Sequence, residues 1–208
     1  MQAARGASLS SSDQTSPDSQ TPSRRRYLGL FAAIAAVGYT VDVVSKVVAV
    51  EALAGEPPVE IVGHYFTLYL ARNPGAAFST GTSYTIVLTF IAIAAAIVVT
   101  WIARRLGSLG WAIGLGFLLA GVLGNLTDRI FRSPGPLRGH VIDFFMFPSF
   151  PVFNVADICI NIAAGVIIIQ ALRGIRVDGL RHEDHDRKRD DRKRTGREDD
   201  GSGEAANS

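Results

Sequence analysis

Cysteine is nearly absent from this 208-residue chain, and the single one, Cys159, rules out an intramolecular disulfide and any site built from several thiolates. Its simplest role is that of a small buried packing residue. A surplus of one charge is missing too: 21 Lys and Arg stand against 19 Asp and Glu, a formal net charge of +2. Even the stretch from Arg173 onward holds ten basic and ten acidic residues. It lacks the one-sided charge that a phosphate backbone selects, so nucleic acid is not expected as a partner. No His-Glu-x-x-His and no Gly-x-Ser-x-Gly occurs, and His64, His140, His182 and His185 fall in loops or in the tail, which leaves no zincin-type pair and no serine elbow. Ser45 and Lys46 do not form a Ser/Lys dyad, because adjacent helix residues diverge by about 100°.

What the chain has is segregated apolar sequence. Four runs, 27–50, 84–103, 109–131 and 152–172, each hold the roughly 20 residues needed to cross a hydrocarbon core of about 30 Å. Arg24 to Arg26, the first run and Ala52-Leu53-Ala54 imitate a cleaved secretory signal. Asp42 and Lys46 interrupt the imitation and the supposed cleavage site lies far downstream, so the segment reads as a retained helix. Residues 1–23 and 177–208 are too polar to offset chain entropy and are expected to be disordered, flanking a membrane domain over 24–176. If the helices alternate, Arg24 to Arg26, Arg104-Arg105 and Arg173/Arg176 share one side, which the Lys/Arg excess marks as cytoplasmic together with both termini. The two longer connections, 51–83 and 132–151, then lie outside. Alternation over 59–70, bounded by Pro57-Pro58 and Asn73-Pro74-Gly75, predicts short strands on the outer surface. The expected fold class is an all-α membrane protein of four transmembrane helices with a small extracytoplasmic β-sheet.

Ionisable residues inside membrane segments are costly, so their placement is informative. Asp42 and Lys46 are spaced i,i+4 near the outer end of the first helix. Asn125, Asp128, Arg129 and Arg132 form one stripe near the outer end of the third. In the fourth, Asn154, Asp157 and Asn161 share a face, with Asp157 roughly 8 Å below a helix start at Val152. Asp143 lies on the strand-like run 139–144. On one continuous helix Asp143 and Asp157 would stand about 21 Å apart, but Pro148 and Pro151 break the stretch and permit the carboxylates to face each other. Simpler structural roles compete with catalysis: Asp42 with Lys46, and Asp128 with Arg129, suit helix tethers, and Asn154 and Asn161 suit interhelical hydrogen bonding. Gly110, Gly114, Gly121 and Gly124 suit a close-packing face. From the residues alone, a catalytic and a purely structural role for Asp157 both stay open.

Four blocks in order, 42–46, Asn73-Pro74-Gly75 through Ser79, Gly121 through Arg129 followed by 141–144, and 153–157, make the chain similar to the lipoprotein signal peptidases (signal peptidase type II) over about 27–172. The resemblance implies a multi-pass protease of the bacterial plasma membrane. Such a protease removes the signal peptide from prolipoproteins before a diacylglyceryl-modified cysteine, with its active site near the outer leaflet. It implies Asp143 and Asp157 as a catalytic pair, and Asn73, Asn125, Arg129 and Asn154 as residues that bind substrate or shape the site. Asp42, Lys46 and Asp128 are left as structural support. Lipidated prolipoproteins and membrane lipid are the implied partners, and neither a cofactor nor a metal is required. Pro74 and a somewhat extended 132–138 loop are modest departures. The competing class, a small proton- or cation-coupled transporter, predicts polar residues spread through the membrane depth and an internal repeat, and neither is visible.

Overall fold

The computed structural model of the chain describes residues 21–75 and 83–180. Of the disorder expected for 1–23 and 177–208, the parts at 1–20 and 181–208 lie outside the described residues, as do the motif positions 76–79, whereas 21–23 belong to a helix. Four helices, α1 (Thr21–Leu53), α2 (Ser83–Ala103), α3 (Leu109–Phe131) and α4 (Val155–Leu172), are each long and apolar enough to cross a membrane. Their outer faces carry bare apolar side chains such as Val37, Val44 and Val48 on α1 and Phe90, Ile91 and Ile97 on α2. That belt suits acyl chains and would be a liability in water. Three strands, β1 (Val59–Val62), β2 (Phe66–Asn73) and β3 (Val141–Met146), form one antiparallel sheet in the order β1-β2-β3. The protein is a four-helix membrane bundle with a small sheet at one end.

α3 is the hub, packed most extensively against α4 and α1 and also against α2. Its glycines make this possible. A Cβ at Gly121 would run into the Ala156 carbonyl of α4, one at Gly116 into Ile34 of α1, and one at Gly124 into the Asp42 carboxylate. The α3 glycine face expected for close packing is thus occupied by α4 at Gly110, Gly114 and Gly121. Two apolar clusters mark the ends of the bundle. Phe31, Val99, Leu106 and Leu115 lie at the arginine-rich end, while Ala49, Leu53, Ile142 and Phe144 seat the sheet on the end of α1 at the other.

Besides α1, which at Thr21–Leu53 exceeds the expected 27–50 run at both ends, three boundaries differ from the expectation, each for a backbone reason. The strand-like run begins at Val141, not Gly139, because the Gly139 and His140 N–H groups are used in the return turn, donating to Arg129 O at 2.9 Å and Ser133 O at 3.0 Å. Gly139 also lies so close to the carbonyls at the end of α3 that no side chain fits there. α4 begins at Val155, not Val152: Phe153 pairs its main chain with Phe145 instead, donating to Phe145 O at 3.0 Å and accepting from Phe145 N at 2.9 Å. Val177 to Leu180, assigned from sequence to the tail, form a turn in which Arg176 N donates to Leu180 O and Gly107 N donates to Val177 O, both at 2.9 Å.

Candidate active site

The 144–153 segment folds back on itself through a turn at 147–150, where Phe150 N donates to Phe147 O. The reversal brings Asp143, on β3, to the first turn of α4. Asn154 is the N-cap of that helix and Asp157 is its third residue. Together they form a capping box: Asn154 Oδ1 accepts from Asp157 N at 3.0 Å, and Asp157 Oδ2 accepts from Asn154 N at 3.1 Å. Asp157 therefore sits in the first turn and not 8 Å into the helix. Of the three residues lost from the expected helix, Phe153 pairs with β3 and Asn154 becomes the cap.

Asn154 is also the joint between the two carboxylates. Its Nδ2 donates to Asp143 Oδ1 at 2.6 Å while its main-chain N–H is held by Asp157. Asn73, at the end of β2, donates to the other Asp143 oxygen at 2.9 Å, and Asn125 of α3 donates to Asp157 Oδ1 at 3.0 Å. Asp143 is buried, with 2% of its surface exposed, whereas Asp157 is half-buried. Burial pushes the Asp143 carboxyl up to about 6. The Asp157 charge adds to the rise; the Asn73 and Asn154 hydrogen bonds and the Lys46 charge oppose it.

A second polar layer lies against the first. Lys46 Nζ is in contact with Asp42 Oδ2 at 2.8 Å and Asp128 Oδ2 at 3.0 Å, and donates to Asn125 Oδ1 at 2.9 Å. An ammonium can only donate, so it fixes which end of the Asn125 amide it faces and thereby turns Nδ2 toward Asp157. Asp42 Oδ1 accepts from Ala156 N at 2.7 Å, satisfying a helix-start donor that α4 itself cannot. Asp128 accepts from Ile142 N at 3.1 Å, next to Asp143, and pairs with Arg132. The ion pairs of Asp128 are with Lys46 and Arg132 where the sequence suggested Arg129, and these charges also aim the amides and backbone that hold the carboxylates. Arg129 lies within electrostatic reach of Asp143, Asp128 and Asp157, and its Nη1 is buried with no hydrogen-bond partner among the described residues. Asn161 bonds within its own helix and not across to another: its Nδ2 donates to the Asp157 main-chain carbonyl from an exposed position.

Two residues escaped the sequence reading. Thr85 Oγ1 donates to Pro74 O at 2.6 Å, and Thr89 Oγ1 lies 3.0 Å from Leu137 O, so α2 grips both the Asn73 turn and the 132–140 loop. Leu137 has a left-handed φ of 64°, a strained geometry for a branched side chain that this contact helps to hold. The available signal was a pair of threonines at i,i+4 opening an otherwise apolar helix.

The model of the family described as signal peptidase (SPase) II matches residues 34–173. A lipoprotein signal peptidase of Mycobacterium tuberculosis is 48% identical over 170 residues, covering 81% of this chain and 83% of its own. One from Streptomyces griseus is 44% identical over 161 residues, covering 77% and 82%. A solved bacterial membrane enzyme superposes with a TM-score of 0.62 at 27% identity, covering 70% of this chain and 94% of that one. The transporter alternative finds no support in these similarities.

Proposed function

The chain belongs to the signal peptidase II family and is an enzyme of lipoprotein signal-peptide cleavage, and we propose that it works as an aspartyl protease with Asp143 and Asp157 as its catalytic pair. The observation that carries this reading is the double role of Asn154, which binds one carboxylate through its side chain and the other through its main chain. Asp143, buried and pushed upward, keeps the shared proton, and Asp157, more open, takes the role of base. Asp143 donates a hydrogen bond to the scissile carbonyl while Asp157 removes a proton from an attacking water. The new C–O bond gives a tetrahedral intermediate. Protonation of the leaving nitrogen by the pair then breaks the C–N bond and frees the amine of the lipid-bearing cysteine. The spare buried donor of Arg129 supplies a partner for a substrate carbonyl. The substrate is a diacylglyceryl-modified prolipoprotein whose acyl chains lie against the apolar helix faces, cut before its modified cysteine. Both carboxylates lie at the bundle end away from the arginine clusters, which the basic-residue rule assigns to the outer leaflet.

Asp143→Asn and Asp157→Asn preserve volume and remove the proton traffic. Each should lower cleavage of a lipidated prolipoprotein by at least about a hundredfold in detergent-purified, folded protein. Near-native turnover in either variant would remove the aspartyl mechanism.

A further inference from the structure

At the bundle end opposite the carboxylates, a cavity of about 470 Å³ opens where the end of α2, the start of α3 and the turn after α4 meet. Trp101, Arg105, Trp111, Arg176 and Asp178 are among its walls. The walls are built, not merely adjacent. Trp111 Nε1 donates to Ile175 O at 2.8 Å, and the Gly107–Val177 main-chain bond clamps the post-α4 turn to the α2–α3 connection. Arg105 lies over the Trp101 ring, 4.9 Å from its centroid. Arg176 reaches Asp178 at 3.4 Å, with both side chains partly exposed. Two guanidiniums and one carboxylate leave the lining one charge positive, and exposed Arg24, Arg104 and Arg173 stand at the same end of the bundle. Indole rings, apolar walls from Ile102 and Ala171, and guanidinium forks at the level where helices leave the hydrocarbon match a molecule with both an acyl body and a phosphate.

We propose that this cavity binds an anionic phospholipid, its phosphate between Arg105 and Arg176 and its glycerol and upper acyl carbons along the two indoles. Arg is the fitting cation because its planar fork pairs with phosphate oxygens bidentately and still stacks on an aromatic face. A free phosphate would use the guanidiniums but leave the apolar walls without a function. The site is independent of the catalytic assignment, since none of its residues touches the carboxylates.

Trp101 and Trp111 are the two tryptophans of the chain and both line the cavity, so tryptophan emission, excited beyond the tyrosine band, reports on this place. Full-length protein in phosphatidylcholine vesicles is titrated with acyl-brominated phosphatidylglycerol or, separately, acyl-brominated phosphatidylcholine. The anionic lipid should quench at about tenfold lower mole fraction, in keeping with two arginines at a membrane surface. Combined Arg105→Gln and Arg176→Gln should bring the two lipids together, and inorganic phosphate should not relieve the quenching. Equal quenching by both lipids in the native protein, a preference that survives the double substitution, or relief by inorganic phosphate would each overturn the assignment. If the double variant does not insert, Arg105→Gln alone, at an exposed position, should narrow the difference between lipids. Comparing two lipids within one variant cancels any direct effect of Arg105 on Trp101 emission, and retained prolipoprotein cleavage certifies the fold.

Discussion

Asp143 illustrates how a single side chain acquires its chemistry from neighbours. Its carboxyl is pushed to about 6 by burial, and Asn73 is the leading influence in the opposite direction, because its Nδ2 donates to the charged form. With Asp143 as the proton-holding partner, activity should be present at lower pH and fall as pH rises through the apparent value of the pair. Replacing Asn73 with Ala removes a stabiliser of the ionised form, raises that value by about one unit, and should shift the alkaline limb of kcat/KM to higher pH. A limb that stays put or moves lower would show that Asp143 does not hold the proton. Lys46 makes the complementary case. It is 1% exposed and is shared by Asp42, Asp128 and Asn125. Lys46→Met would leave buried Asp42 without its cation, take one of two cations from Asp128 and free the Asn125 amide. The expected cost is about 3–5 kcal/mol, read as a large drop in melting temperature, with reduced kcat in the protein that survives. Ser45→Ala next to it should change stability by less than about 0.5 kcal/mol, because the Ser45 hydroxyl donates to a carbonyl of its own helix, that of Asp42. Equal effects of the two substitutions would refute a special role for Lys46.

At the scale of elements, the first turn of α4 is where packing and chemistry meet. It carries Asn154 and Asp157, and its Ala156 rests on Gly121 and Gly124 of α3. Gly121→Ala places a methyl against the Ala156 carbonyl, and backbone cannot rotate aside as a flexible side chain can. The helix must move, at a cost of about 1–3 kcal/mol, and the carboxylate geometry moves with it. Thermal unfolding in detergent and kcat should therefore fall together. Gly165→Ala on the open face of α4 is the control: nothing lies within 4 Å of the added methyl, and better helix propensity predicts a neutral or slightly stabilising change. If both alanines behave alike, the contact at Gly121 does not position α4.

At the scale of the whole molecule, Arg24 to Arg26, Arg104, Arg105, Arg173 and Arg176 gather at one end of the bundle and the sheet and carboxylates at the other, where Arg132 is paired with Asp128. The basic-residue rule then places Arg173 inside and the 132–140 loop outside. Cysteines at Arg173 and at Gly135, where an added side chain meets nothing within 4 Å, test this with a membrane-impermeant thiol reagent on intact cells. The native thiol, Cys159, is buried and should stay silent. Labelling is expected at position 135 and not at 173; the reverse pattern would invert the orientation and the leaflet of the active site.

The number and order of the membrane helices were legible in the amino-acid sequence because bilayer thickness, a property of the solvent, sets a minimum length for each apolar run. The bounds of α3 were read to the residue, since Ser108 and Arg132 interrupt its apolar pattern on both sides. The polar stripes were legible too, because an ionisable residue in such a run has few innocent explanations. The start of α4 was not: Val152 and Phe153 are as apolar as a helix and as a strand, and only β3 alongside decides that Phe153 pairs as an extended residue. That choice makes Asn154 the cap and sets Asp157 beside Asp143. Nor could any spacing along the chain show that Lys46, 79 residues from Asn125, decides which end of that amide faces Asp157. Helix length follows from local composition, which a sequence carries residue by residue. Which donor meets which acceptor depends on distances between segments, and these exist only once α1, α3, α4 and β3 have packed.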